Sequence, residues 1–227
     1  MQNVSDQLNE FRNALELNAT AYGVSLDAEA LALLSKYYDF LNTWNARLHL
    51  VAPTSPREFA TRHILESLML LEHLPHEASV ADIGSGAGLP IIPCLIARPD
   101  LRAVLIEASP KKAVFLNEVL REVASPTTAA GTARARVVAK RFEAVPAPAV
   151  DYITCRALER FEEILPTLLA WAPVKSTLML FGGEGLERRI EANGVGSDRI
   201  LIPKSERRFL FIAKSRASND DRALKQS

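Results

Sequence analysis

The chain has 227 residues, 48% hydrophobic and 24% charged, enough to bury one good core with an appendage but hardly two full domains. Basic and acidic side chains balance at 27 each, which excludes bulk attraction to nucleic acid and leaves only local patches to supply it. No apolar run approaches the roughly 20 residues that span a bilayer, and "MQNVSDQLNE" lacks the basic and apolar regions of a signal peptide.

These features predict a cytoplasmic monomer with no membrane or DNA partner. Cys94 and Cys155 lie far apart with no metal-type spacing. They read as buried free thiols, and no metal site is expected.

In chain order, residues 1–75 read as a helical cap. Val4, Leu8, Phe11 and Leu15 fall on one helical stripe, as do Leu31, Leu34, Tyr38 and Leu41. "PTSPREF" at 53–59 breaks the pattern and offers a helix start at Ser55–Pro56. From Ser79 short β-rich runs alternate with helical segments: "SVADIG", "RAVLIEA", "RARVVAK", "VDYITCRA" and "STLMLFGG" are the strand candidates. Their apolar runs predict strands buried on both faces, hence a parallel sheet covered by helices. "DRILIPK" and "RRFLFIAK", two residues apart, leave no room for a crossover helix and predict an antiparallel hairpin.

The expected fold is therefore α/β: a Rossmann-like, mostly parallel seven-stranded sheet of five β/α units and a terminal antiparallel hairpin. Residues 76–215 carry it, "ASPTTAAGTA" at 124–133 is expected to be a loop, and 216–227 a flexible tail. Two basic clusters stand out. One is Arg199, Lys204, Arg207, Arg208, Lys214 and Arg216 against the single acid Glu206; the other is "RARVVAKR" at 134–141. Each reads equally well as a phosphate-facing patch or as a charged sheet edge.

"ADIGSGAGLP" at 81–90 follows the first strand. Glycine accepts positive φ and has no Cβ, so Gly84, Gly86 and Gly88 let a ligand lie against the main chain. In an open parallel sheet that is where ligands bind. The second strand ends in Glu107, suited to a ribose diol. The spacing is GxGxG, not GxGxxG, Pro90 and Pro93 remove helix N–H donors, and Asp82 adds negative charge. A ligand without phosphates and with a positive end fits best, as S-adenosylmethionine does. A bare tight turn is the competing reading.

Several stretches together resemble the bacterial 16S ribosomal RNA (guanine-N7) methyltransferases, the glucose-inhibited division protein B family. They are "WNARLHL" at 44–50, "RHILESLMLL" at 62–71, "DIGSGAGLPIIPCLIARPDL" at 82–101, "KKAVFLNEV" at 111–119, "KRFEAV" at 140–145, "CRAL" at 155–158 and "ERRFLFIAK" at 206–214. The resemblance covers about residues 30 to 214. It implies a class I fold and S-adenosylmethionine as cofactor, with Asp82, Gly84, Gly86 and Leu89 on the methionine side and Glu107 at the ribose. Phe142 and Glu143 would flank the adenine. Arg156, a candidate catalytic residue, would face the cofactor or target nucleotide, and Arg207 would belong to an RNA-facing surface.

The chain departs from the family pattern at four positions. His49 and Val51 stand where asparagine and threonine are usual, Glu66 replaces an aspartate, and Gly182 replaces the lysine of a lysine–glycine pair. If that lysine meets RNA phosphate, this chain lost a charge there, or Arg188 or Arg189 supplies it.

Other residues divide between functional and packing readings. His63 could be a base but reads more readily as a packed helix histidine, and Trp44 and Tyr38 as core. Arg62 is a candidate phosphate contact or a partner of Glu58 or Glu66 at helical spacing. Guanine N7 carries a free lone pair, so no dedicated base is required; in-line placement can supply much of the rate. The partner implied is 16S ribosomal RNA or the small subunit. Two alternatives stand: a methyltransferase of the same fold acting on a small molecule or protein, and a non-catalytic cofactor- or ribosome-binding factor.

Overall fold

The computed structural model describes residues 3–123, 134–156 and 161–214. The loop expected at 124–133, Arg216 and the tail expected at 216–227 lie outside them.

Seven strands form one sheet in the order β3-β2-β1-β4-β5-β7-β6. They are β1 (Ser79–Ile83), β2 (Arg102–Ile106), β3 (Ala135–Val138), β4 (Tyr152–Arg156), β5 (Thr177–Gly182), β6 (Ser197–Leu201) and β7 (Phe209–Lys214). The first five pair in parallel, β7 runs antiparallel to β5, and β6 antiparallel to β7. β1 and β5 are buried along nearly their whole length, which is why they read as unbroken apolar runs. Order reverses between β1 and β4, and in such sheets the crevice beyond the carboxyl ends at that reversal is the ligand site.

The hairpin link is longer than expected. β6 ends at Leu201 and β7 begins at Phe209. Pro203 has no N–H for the ladder, Lys204 takes φ 59, and Arg208 turns inward to Glu66. The third β/α unit also differs: between β3 and β4 the chain makes only a 3-10 turn, Phe142–Ala144.

Helices α1 (Val4–Asn18) and α2 (Ala28–Leu48) open the chain. Phe11 of α1 stacks on Tyr38 of α2 at 4.5 Å between ring centres, and Phe59 closes against both. Asp27 caps α2 by accepting from the Ala30 N–H at 2.7 Å. At the other end His49 sits in the left-handed region, φ 48, a position asparagine favours and histidine tolerates better than most residues. Asn45 then clamps the turn in both directions, donating to the Val51 carbonyl and accepting from its N–H.

The third helical segment starts at Ser55–Pro56 as expected, Ser55 Oγ accepting from the Glu58 N–H. It runs through α3 (Pro56–Glu58), a π-helical turn (Phe59–Leu65), α4 (Glu66–Leu68) and a 3-10 stretch (Met69–His73).

These helices share one apolar core with α5 (Ile91–Ala97), α6 (Pro110–Val123) and one face of the sheet. Tyr38 is buried in this core, and Trp44 packs against it partly buried, meeting Phe115 of α6 edge-on at 5.9 Å. On the other face α7 (Phe161–Trp171) and α8 (Glu184–Ala192) cover a second cluster. Cys94 and Cys155 are both buried, as the sequence predicts. Among the described residues no helix is long and apolar enough to cross a membrane.

Candidate functional site

After β1 the chain bends sharply. Gly84, Gly86 and Gly88 have φ of 69, 52 and 86, the left-handed region that side chains enter at a cost. At Gly88 a Cβ would also lie 2.2 Å from Ile92 Cδ1, so the helix packs directly on bare backbone.

Three contacts hold the bend. The N–H groups of Gly84 and Ser85 donate to the Ile106 carbonyl at 2.9 and 3.2 Å. Glu107 accepts from the Gly86 N–H with one oxygen and from the Ser109 N–H with the other, at 2.8 and 2.7 Å. From the cap, the fully buried Tyr37 hydroxyl donates to the Ala87 carbonyl at 2.7 Å. Tyr37 lies on the same α2 stripe as Leu34 and Leu41, a spacing that could have singled it out.

Two cavities meet at this bend, both bounded by Gly84 and Ala108. One, about 540 Å³, is walled by Ile83, Ile106, Lys140, Phe142 and Glu143. Phe142 is held edge-on by Trp171 at 5.5 Å. The other, about 530 Å³, lies between Gly84, Gly86, Leu89 and Glu107 on one side and Leu50, Ala52 and His63 of the cap on the other. Lys112 and Arg156 complete its wall.

The structure thus brings Gly84, Gly86, Leu89, Glu107, Phe142, Glu143 and Arg156 to one crevice at the carboxyl edge. Asp82 differs from expectation. It is fully buried, off both cavity walls, and neither carboxylate oxygen has a hydrogen-bond partner. Burial pushes its carboxyl up to about 8, with the nearby Ser85 hydroxyl opposing and Glu107 adding to it, so at neutral pH the carboxyl largely keeps its proton and does not carry the expected negative charge.

Arg156 also differs in direction. It lines the cavity, but its guanidinium turns into the cap and donates to the carbonyls of Arg62 and His63, to Ser67 Oγ and to Glu66. Phe181 underlies it at 5.4 Å. Arg208, from the β6–β7 link, pairs with the other oxygen of Glu66. Glu66, with 2% of its side chain exposed, therefore neutralises one of two guanidinium charges. Sequence reasoning missed this triad, because its members lie 90 and 142 positions apart.

Arg62 is exposed and pairs with Glu58 at 2.6 Å, the helical-spacing alternative. Arg207 is exposed and forms no ion pair among the described residues, and its carbonyl lies over Gly183. Much of the C-terminal basic cluster serves the protein itself. Arg199 pairs with Glu187 at 2.8 Å, Lys204 donates to Asn18 and Arg208 joins the triad. At Gly182 a Cβ would lie 2.5 Å from Leu186 Cδ2, so Leu186 occupies the space where the family pattern has a lysine side chain. Among the described residues no cluster of histidine, cysteine or acid could hold a metal.

Two substitutions test these electrostatics. Native Asp82 holds its proton up to about pH 8 while an unfolded aspartate releases it near 4, so wild-type stability falls as pH rises between those values. Asp82→Asn removes that loss. Its thermal midpoint should gain on the wild type progressively from pH 4 to 8 and hold the gain above; parallel curves would refute the buried protonated acid. Glu66→Ala strands two guanidinium groups and should cost about 3–5 kcal/mol in denaturant unfolding.

With the site in view, comparison with known proteins is informative. Residues 30–198 match the family model described as "GidB: rRNA small subunit methyltransferase G". "Ribosomal RNA small subunit methyltransferase G" of Xanthomonas campestris pv. campestris (strain B100) is 42% identical over 142 residues, 62% of this chain and 63% of that protein. The alignment thus spans less than two thirds of that relative's length. The protein of the same name from Anaeromyxobacter dehalogenans (strain 2CP-1 / ATCC BAA-258) is 34% identical over 197 residues, 85% of this chain and 88% of that one. A solved SAM dependent methyltransferase from Aquifex aeolicus shares the fold, with TM-score 0.52 and 15% identity over 80% of this chain and 98% of that chain. By sequence, the chain belongs to the GidB family of ribosomal RNA small subunit methyltransferase G proteins.

Proposed function

We propose that this protein is an S-adenosylmethionine-dependent methyltransferase that modifies N7 of a guanine in 16S ribosomal RNA of the small subunit. The observation that carries the reading is the pair of cavities joined at Gly84, one walled by Phe142 and Glu143, the other by the glycine bend and Glu107.

The residues present fit the donor. Phe142 offers an aromatic face to an adenine and Glu143 an acceptor for its amino group. Glu107 spends one lone pair of each oxygen on backbone N–H groups and keeps the others for ribose hydroxyls. The bare backbone at Gly84 and Gly86 admits the methionine end. When bound, S-adenosylmethionine supplies a methyl group activated by its sulfonium.

The chain's own task is orientation and charge. Guanine N7 is unprotonated at neutral pH, so no residue must remove a proton before methylation. Positive charge ends on the purine, and uncompensated cations at the wall would oppose it. Glu66, shared with Arg208, offsets part of the Arg156 charge there. On the RNA side the reading rests on Arg207 and on Arg62, whose exposed pair with Glu58 is weak enough for a phosphate to displace. Both support a local contact on a neutral protein, and RNA binding should weaken steeply with salt.

Purified protein, labelled donor and unmethylated small subunits test this. Nuclease digestion and mass spectrometry should find 7-methylguanosine. Gly84→Ala, which places a methyl where the cavities meet, should weaken donor binding at least about tenfold, or 1.4 kcal/mol. The second reading, methylation of a small molecule or protein, is favoured by Gly182 and the zero net charge. It predicts label outside RNA and no salt dependence.

A further inference from the structure

Within the cavity between the glycine bend and the cap, most polar side chains are already engaged. Arg156 gives its guanidinium to the cap. Glu107 holds Gly86 and Ser109, and Ser85 donates to the Asp82 carbonyl. Lys112 stands apart, in the first turn of α6 on the same cavity wall as Glu107. On the cap side the remaining polar group is His63. Its imidazole has no hydrogen-bond partner among the described residues, and it leans on the Phe59 ring at 5.0 Å.

The backbone that carries His63 is unusual. Phe59–Leu65 is a π-helical turn, a rare feature that recurs at functional sites. Here the carbonyls of Arg62 and His63 accept from Arg156, fixing His63 against the end of β4, across the cavity from Gly84 and Ser85.

We propose that the His63 imidazole is the contact for the acceptor base, donating a hydrogen bond to the guanine O6 that lies beside N7. The proposal rests on the N7-methylation reading above. O6 and N7 share one edge of the purine, so a single donor to O6 turns N7 toward the methyl donor. The donor's adenine fills the Phe142 side and its ribose meets Glu107 where the cavities join, which leaves the His63 side for its amino-acid end and the incoming base.

The local charges suit this role. Burial first, then Arg156 and Arg62, with Arg208 adding and Glu58 opposing, lower the His63 pKa to about 4. Glu66 sits on the next helical turn and is shared by Arg156 and Arg208. The imidazole is therefore neutral throughout the physiological range. It offers an N–H without a net charge that would repel the methylated purine.

The test compares His63→Ala, His63→Gln and His63→Phe with wild type in single-turnover methyl transfer to small subunits, alongside equilibrium binding of S-adenosylhomocysteine. His63→Ala should slow transfer on the order of 100-fold, as loss of one site donor does, with donor affinity unchanged within about threefold. Gln, which keeps an N–H donor, should recover part of the rate; Phe, which keeps the packing on Phe59, should not. Wild-type transfer should show no acid limb between pH 6 and 7, because the imidazole does not titrate there. Full activity in the Phe or Ala variant overturns the proposal, as does a loss confined to donor affinity, or an acid limb near the ordinary histidine value. Wild type that labels no guanine overturns the underlying reading, and the proposal with it.

Discussion

A single carboxylate fixes the geometry of the crevice. Glu107, at the end of β2, takes the Gly86 N–H on one oxygen and the Ser109 N–H on the other. It ties the bend after β1 to the start of α6, so the surface offered to a ligand is set by backbone and not by mobile side chains. Charge-assisted bonds of this kind are among the stronger hydrogen bonds available to a protein. The Tyr37 hydroxyl secures the same bend from the cap. Without either anchor, a stretch of three glycines would carry a large conformational entropy to lose on binding.

The cap is thus part of the site and not merely a cover. Its helices share a continuous apolar core with the sheet, and its third helical segment delivers His63 to the cavity and Glu66 to the buried triad. Glu66 links three separate parts of the chain: the π-helical segment beside it, Arg156 at the end of β4 and Arg208 from the β6–β7 link. A buried ion cluster is poor evidence of net stability. It does tie the three elements together at one buried point.

How much of this was legible in the sequence follows from the range of each interaction. Strand runs, the Ser55–Pro56 helix start and the glycine bend declare themselves through local pattern and turn chemistry. Gly84, Glu107 and Phe142 reach one crevice because each stands just beyond a parallel strand, and strand order alone brings those ends together. The direction of Arg156 was not legible, since its partners lie about 90 positions upstream. Nor was the protonation of Asp82, which depends on a burial that local sequence does not encode. The basic cluster near the C-terminus shows the same limit: composition reveals its charge, but only the fold shows Arg199 and Arg208 paired internally.

The most direct measurement is a crystal structure of the protein with S-adenosylhomocysteine at saturation. The adenine should lie against Phe142, the ribose hydroxyls at Glu107, and the amino-acid end along Gly84–Gly86 beneath the cap. An empty crevice, or one that instead admits a dinucleotide diphosphate, would contradict the account.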